Sequence, residues 1–465
     1  MKDTLSSYTS HIVLLWFTFL VGIVYLPSLS NSFVSDDLGV ASNIHAWGLP
    51  YVFSRLTFLR DLLYVGIYTL ADINPWAFRF STILFHLGNT ILSFVIVRRL
   101  LNRNVAIVSA SLFAVHPIFV ESVAWISGGV YPQYSFFFLI SFYLYISSSA
   151  LSPLFFLLAC LTLDRATVLV IIFPIYDWCF GNLKARFKQL VPLLVIGAFF
   201  SAYILLSDTI GQRLSYVGEH EGTKQTIDNP FIYLPVALSS YFELILWPQK
   251  LTIYHTELAF TAVSFALRVM VTLAAFTGSM YLLFHKRKLF FWVAVFLVPL
   301  LPFLTPFRIS WLIAERYAYF SSLGALVIFS YFFTEIVNKH KKNIFYWILL
   351  LFILAALGLR SFVRTLDWKN EGTLWAATAV YSPSSVQNWV NLGVFYSRAG
   401  NYTNAQTAFA KALKLNPNFA DTYYNMGVME ESLGENEKAW ENYQHALKLR
   451  PDYPQALERM RSVSQ

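Results

Sequence analysis

The sequence predicts an all-α membrane protein whose many apolar helices are followed by a small water-soluble helical repeat domain. Three observations predict it. First, 57% of the 465 residues are hydrophobic and only 13% charged, with a mean hydropathy of +0.53. A soluble domain carries about a quarter charged residues. Second, apolar runs of bilayer length recur between residues 11 and 361. Third, the composition turns polar after residue 365 and a 34-residue period appears.

The apolar runs occupy 11–29, 76–97, 104–120, 133–149, 189–207, 260–283, 289–306, 317–337 and 343–361. Each is long enough to cross a hydrocarbon core as a helix. The first follows Lys2 and precedes Ser28, Ser30 and Ser32, as a signal peptide would. Its length and the many later spans favour an uncleaved first helix. Two shorter runs, 151–163 and 165–180, meet at Asp164-Arg165 and read as a spanning pair with its turn at a membrane face. The run 231–247 either spans or dips into the membrane and returns. The basic residues decide between these readings.

The formal charge is +8, and it gathers in short loops. These are Arg98, Arg99 and Arg103; Lys184, Arg186 and Lys188; Lys286, Arg287 and Lys288; and Lys339, Lys341 and Lys342. Such clusters mark the cytoplasmic side of a membrane protein, so the charge reports topology and not a nucleic-acid partner. All four fall on one side only if 231–247 is re-entrant. That gives about eleven spans, with the N-terminus inside and the C-terminus outside. The loops 30–75 and 208–230, the turn at Asp164, Trp247–Glu257 and Arg308–Arg316 then share the outer face with everything after residue 361. Aromatics reach 18%, which suits lipid-facing surfaces and interfacial belts. The two cysteines, Cys160 and Cys179, lie in apolar segments, so no disulfide framework is expected.

The tail, 366–465, separates from the membrane part, 1–365. Gly393 and Gly427, Gly400 and Gly434, Ala405 and Ala439, Phe409 and Tyr443, Ala412 and Ala446, and Pro417 and Pro451 are each 34 residues apart. That is the tetratricopeptide (TPR) period, an α-solenoid with small residues where paired helices touch and proline ending the second helix. The repeats fall at about 384–417 and 418–451, with a preceding half repeat at 370–383 and a capping helix at 452–463.

Charged side chains beside a membrane need a reason. Asp36-Asp37 follows the first span. Adjacent carboxylates can bind a divalent cation, or one can act as general base while its neighbour raises its pKa. Equally, Ser35-Asp36-Asp37 could cap a short helix. His116-Pro117 with Glu121 sits at the outer end of the third span, where the proline breaks the helix. His86, near Asn89, lies mid-span, and an isolated intramembrane histidine is more often a buried hydrogen-bonder than a reactive group. Glu315-Arg316-Tyr317 could fix helices as an internal ion pair, or Arg316 could meet an anionic head group or phosphate. No glycine-rich phosphate loop, Ser-His-Asp order, zinc spacing or chain of intramembrane charges is visible in the sequence, which weakens a transporter reading.

Five stretches, taken in order, resemble the transmembrane and TPR-containing O-mannosyltransferases and their bacterial relatives among the type-C membrane glycosyltransferases. They are Phe33-Val34-Ser35-Asp36-Asp37 with Asn43; Arg60 and then Phe85-His86-Leu87-Gly88-Asn89; His116-Pro117 with Glu121-Ser122-Val123-Ala124-Trp125; Glu315-Arg316-Tyr317-Ala318-Tyr319; and Asp367-Trp368-Lys369-Asn370-Glu371 leading into Asn391-Leu392-Gly393. The resemblance implies a multi-pass enzyme taking sugar from a polyprenyl-phosphate carrier at the outer, periplasmic face of a bacterial inner membrane. It implies that Asp36 or Asp37 acts as base, or holds a magnesium or manganese ion that does. Glu121 and His116 would line the same cavity, with His86 and Glu315 nearby. Arg316 and Arg60 would neutralise the departing polyprenyl phosphate. Relatives often carry Lys-Glu where this chain has Asp164-Arg165, and a basic residue near Gly129. The charge order is inverted here, and Arg165 would supply the cation. The TPR array would present a protein or glycan acceptor, and the alternative reading is a non-catalytic scaffold that recruits envelope proteins.

Overall fold

The computed structural model describes residues 2–181, 183–207, 229–257, 260–304, 311–340 and 343–464, with side chains omitted for 2–10 and Pro230. The expected loop around 208–228, Arg308 and the pair Lys341 and Lys342 lie outside the described residues. Every apolar run read from the sequence is helical where described, and no strand occurs among the described residues.

Six helices are individually long and apolar enough to cross a membrane. They are His11–Ser30, Pro75–Leu100, Leu183–Leu206, Ala262–His285, Glu315–Lys339 and Ile344–Asp367. A seventh candidate is the pair Arg103–Val115 and Pro117–Ala124, bent by 51° at the expected His116-Pro117 break. The other runs form shorter helices: Val130–Ile146, Ser152–Thr162, Ile172–Phe180, Pro230–Leu246 and Arg287–Leu297. The count of about eleven therefore includes several short or broken elements. In the span Ala262–His285 only 6% of the most apolar stretch is covered by protein, and in Ile344–Asp367 only 17%. Apolar helix surface left bare in this way is a lipid-facing surface.

The core of the bundle packs Pro75–Leu100 against Arg103–Val115 and Val130–Ile146, with Ala318–Lys339 closing on Arg103–Val115 and Arg287–Leu297. The bundle has a basic end and an opposite end. At the basic end Arg99 donates to the Ile146 carbonyl at 3.0 Å, and Arg186 donates to the Tyr145 carbonyl at 3.2 Å. Arg287 lies there too, 5.3 Å from the Trp178 ring. Pro230–Leu246 does not reach that end. Tyr233 donates to the Phe303 carbonyl at 3.5 Å, and Tyr241 to the Leu312 carbonyl at 3.3 Å. The Ile245 carbonyl is 2.8 Å from His116 Nε2. All three contacts belong to the opposite end.

The repeats stand at that opposite end. Their helices are Glu371–Tyr381, Val386–Arg398, Tyr402–Leu415, Ala420–Ser432, Asn436–Leu449 and Pro454–Val463. Gly400 and Gly434 both have positive φ, 73° and 77°, where each first helix ends. That backbone geometry is what the periodic glycine supplies. Helix Ile344–Asp367 runs into the tail without a linker, and Trp368, Leu374 and Trp375 are buried in the same core as the bundle. Ser382 bonds the bundle's Thr252 hydroxyl at 2.9 Å, and Ser384 donates to Glu257 at 2.6 Å. The repeats are thus seated on the bundle, not tethered to it.

Candidate functional site

The first loop of this end sets the acidic pair. Ser35 turns at φ 55°, a left-handed value that non-glycine residues adopt only in tight turns. The turn splays the two carboxylates apart. Asp37 is fully buried, and its Oδ1 accepts from the Ser127 amide at 2.7 Å and the Ser127 hydroxyl at 2.6 Å. Its Oδ2 accepts from the Val34 amide at 3.5 Å. Burial pushes the Asp37 carboxyl up to about 6, against the opposing pull of Ser127 and the Arg79 charge. Asp36 is exposed and holds the N-cap position of the short helix Asp37–Asn43 that the sequence allowed, without making a side-chain cap hydrogen bond. Asp36 instead lines a cavity of about 690 Å³ between bundle and repeats.

Arg316 lines the same cavity. Its backbone amide donates to Glu121 Oε2 at 3.0 Å, and its guanidinium donates to Glu121 Oε1. Glu121 is fully buried at the bent helix pair, so it serves as the socket of the arginine. Behind it lies a second buried pair. Arg364 donates to Glu315 at 3.3 Å and to Asp367 at 3.0 Å, and the His255 ring lies 3.8 Å from Glu315. Burial and the cations Arg364 and Arg316 hold His255 down at about 3, so it is neutral.

The cavity gathers Asp36, Arg316 and five aromatic residues, Trp125, Tyr254, Trp311, Trp375 and Tyr453. The sequence reading missed these rings. Tyr254 and Trp375 are parallel within 7° at a 6.1 Å centroid separation, and Arg316 lies 5.6 Å from the Trp125 ring centre. Arg79 was also missed. It is fully buried and donates to three carbonyls, Ala124 at 2.7 Å, Asn31 at 2.6 Å and Ser32 at 2.9 Å. A lone arginine between Phe78 and Phe80 was its signal.

The remaining expected site residues sit elsewhere, and each for a physical reason. His116 is buried with both ring nitrogens engaged, Nε2 with the Ile245 carbonyl and Nδ1 with the Ile118 amide at 3.2 Å. His86 is buried among Tyr25, Phe113, Phe119 and Tyr319, with its Nδ1 2.8 Å from the Tyr319 hydroxyl. Arg60 bonds its neighbour Asp61 at 2.8 Å, and Glu315 is held by Arg364. Arg165 lies 4.9 Å from the Phe303 ring and 5.7 Å from the Tyr317 ring. Tyr317 separates it from Arg316, whose guanidinium is 5.0 Å away on that ring. Asp37 already accepts three hydrogen bonds, so Asp36 is the carboxylate of the pair left open to a ligand. Among the described residues no three His, Cys, Asp or Glu side chains gather to hold a metal.

Fold and site together define a multi-pass helical membrane protein with a TPR tail seated over a polar, aromatic cavity. The tetratricopeptide repeat family matches residues 386–419 in one form and 408–441 in another. Over most of its length the chain is similar to Protein O-mannosyl-transferase TMTC3 of Homo sapiens, at 22% identity over 461 residues, covering 83% of this chain and 50% of that protein. Protein O-mannosyl-transferase Tmtc1 of Drosophila melanogaster is 24% identical over 514 residues, covering 83% and 59%. Protein O-mannosyl-transferase TMTC4 of Homo sapiens is 30% identical over 125 residues, covering 26% and 17%. The chain spans about half the length of the first of these relatives. The chain thus carries TPR repeats and is similar, over most of its length, to membrane proteins named O-mannosyl-transferases.

Proposed function

We propose that this chain transfers a sugar, mannose by similarity, from a polyprenyl-phosphate carrier to an acceptor hydroxyl at the outer membrane face. The observation that carries the reading is the meeting of Asp36 and Arg316 on one cavity at the non-basic end of the bundle. Asp36 takes the proton of the acceptor hydroxyl as its oxygen attacks the anomeric carbon. The bond from that carbon to the phosphate oxygen breaks, and its electron pair leaves with the polyprenyl phosphate. Arg316, oriented by Glu121, receives the departing negative charge. A single displacement of this kind inverts the anomeric configuration. The aromatic walls supply apolar surface for sugar or acceptor, and Arg165 lies beyond Tyr317 as a second cation.

A scaffold would have no need to hold a carboxylate and an arginine on one cavity. The test is Asp36→Asn in membranes carrying a radiolabelled polyprenyl-phosphate sugar. Transfer should fall by about two to four orders of magnitude, the usual weight of a general base, at unchanged protein level. Full transfer by that variant would return the chain to the scaffold reading.

A further inference from the structure

We infer that Arg268 and Glu243 form a headgroup site for a phosphatidylethanolamine lipid on the membrane-facing side of the bundle, apart from the cavity that holds Asp36. The two side chains stand on neighbouring apolar helices, Ala262–His285 and Pro230–Leu246. Arg268 sits among Leu267, Met270 and Val271, all exposed apolar side chains, on the span that protein covers least among the six. A charge among lipid-facing residues is costly and calls for a ligand or a partner of its own. Depth agrees with a headgroup. Arg268 lies six residues into its span, about 9 Å at 1.5 Å per residue, and the interfacial layer is about 5–8 Å thick on each side. Trp247, exposed at the end of Pro230–Leu246, stands one turn beyond Glu243, as an interfacial anchor would.

Protein satisfies this pair only in part. Arg268 Nη1 donates to the hydroxyls of Ser239 at 3.0 Å and Ser240 at 2.9 Å, which uses both its hydrogens. Its Nη2 lies 3.7 Å from Glu243 Oε2, beyond hydrogen-bond distance. Among the described residues the Nη2 and Nε hydrogens meet no acceptor, and the Glu243 carboxylate accepts no hydrogen bond. The Glu243 side chain is 47% exposed and that of Arg268 27%, so a ligand reaches both.

A phosphodiester anion suits the remaining edge of the guanidinium, which forks onto two oxygens. A primary ammonium suits the carboxylate beside it, since it donates three hydrogens. Phosphoethanolamine carries both ends on one short link, as the protein presents their partners side by side. A phosphatidylglycerol headgroup would bring its phosphate to Arg268 but set an anion against an unpaired Glu243. A choline headgroup has no N–H to give that carboxylate. Ser239, Ser240 and Glu243 point away from Tyr241 and Ile245 on the same helix, by the helical period. Those two fix the helix to the bundle, through the Leu312 carbonyl and the His116 ring. A lipid held at Arg268 therefore closes on the helix from its free side.

The test is lipid retention in native mass spectrometry of the full-length protein in detergent, offered equal amounts of phosphatidylethanolamine, phosphatidylcholine and phosphatidylglycerol. The wild type should retain phosphatidylethanolamine about tenfold over the other two, the weight of one charge-assisted hydrogen bond. Glu243→Gln should erase that preference while keeping phosphatidylglycerol, and Arg268→Gln should weaken all three. Thr277→Ala, at an exposed position further along the same span, should bind as wild type. Retention by the wild type should also fall stepwise from ethanolamine through its monomethyl and dimethyl forms to choline, a series that requires no substitution. A wild type without the preference, a preference kept by folded Glu243→Gln, or equal displacement by a polyprenyl phosphate would each overturn the proposal.

Discussion

At the scale of single residues the two neighbouring aspartates have separate tasks. Asp36 faces the cavity, whereas Asp37 is a buried anchor that ties the first loop to Ser127. Its carboxyl is pushed up to about 6 in the folded chain, against 3.8 for an ordinary aspartate, because burial disfavours the ion. Between those pH values the folded chain holds a proton that the unfolded chain does not. The contribution of Asp37 to stability therefore rises as pH falls from 6 towards 3.8, and is least favourable at neutral pH. A shift of this size amounts to about 3 kcal/mol as an upper bound. Protonation also weakens the charge-assisted bonds from Ser127 that orient the loop. Transfer should then decline below about pH 6 while the thermal midpoint does not. Asp37→Asn keeps an acceptor for Ser127 and should flatten that acid limb, retaining part of the activity, with a neutral-pH midpoint equal to or above wild type. An unaltered acid limb in this variant would assign the titration to another group.

At the scale of elements, what could be read from the sequence followed from periodicity. The 34-residue period predicted each repeat helix, and the His116-Pro117 pair predicted the bend of 51°. Pairings between distant segments were not legible. Glu121 and Arg316 are 195 residues apart, and only the fold shows that one is the socket of the other. His86 and His116 became site candidates through the family resemblance, whereas the residues alone suggested buried hydrogen-bonders, and both make such bonds in the fold. Helix contact likewise hides in a single glycine. A Cβ on Gly324 would meet the Trp292 carbonyl and come within 2.6 Å of the Phe296 amide, all backbone. Backbone cannot swing aside as a side-chain tip can. Gly324→Ala should force apart helices Arg287–Leu297 and Ala318–Lys339 at a cost of about 1–3 kcal/mol. A lowered unfolding midpoint in detergent is the expected outcome, and an unchanged one would show that the helices separate freely. Arg316 lies two residues before Ala318, so weakened transfer should accompany the loss of stability.

At the scale of the whole molecule, the cavity exists only because repeats and bundle share one end. The Ser32 amide donates to the Lys369 carbonyl at 2.9 Å, and the Asn31 side chain to the Thr365 carbonyl at 3.0 Å, so the acidic loop is clasped to the start of the tail. The basic clusters stand at the other end, beside Tyr145 and Trp178. The proposed orientation turns this asymmetry into an experiment. Lys288 is exposed at the basic end and Asn404 is exposed on the repeats, while Cys160 and Cys179 are buried and contribute little background labelling. A membrane-impermeant maleimide added to intact cells should label Asn404→Cys at once. It should label Lys288→Cys only after permeabilisation, since cytoplasmic loops carry the excess of lysine and arginine. The opposite pattern would put the cavity on the cytoplasmic side. Repeats and acidic loop would still sit together there, and the sugar donor would have to be sought among those facing the cytoplasm.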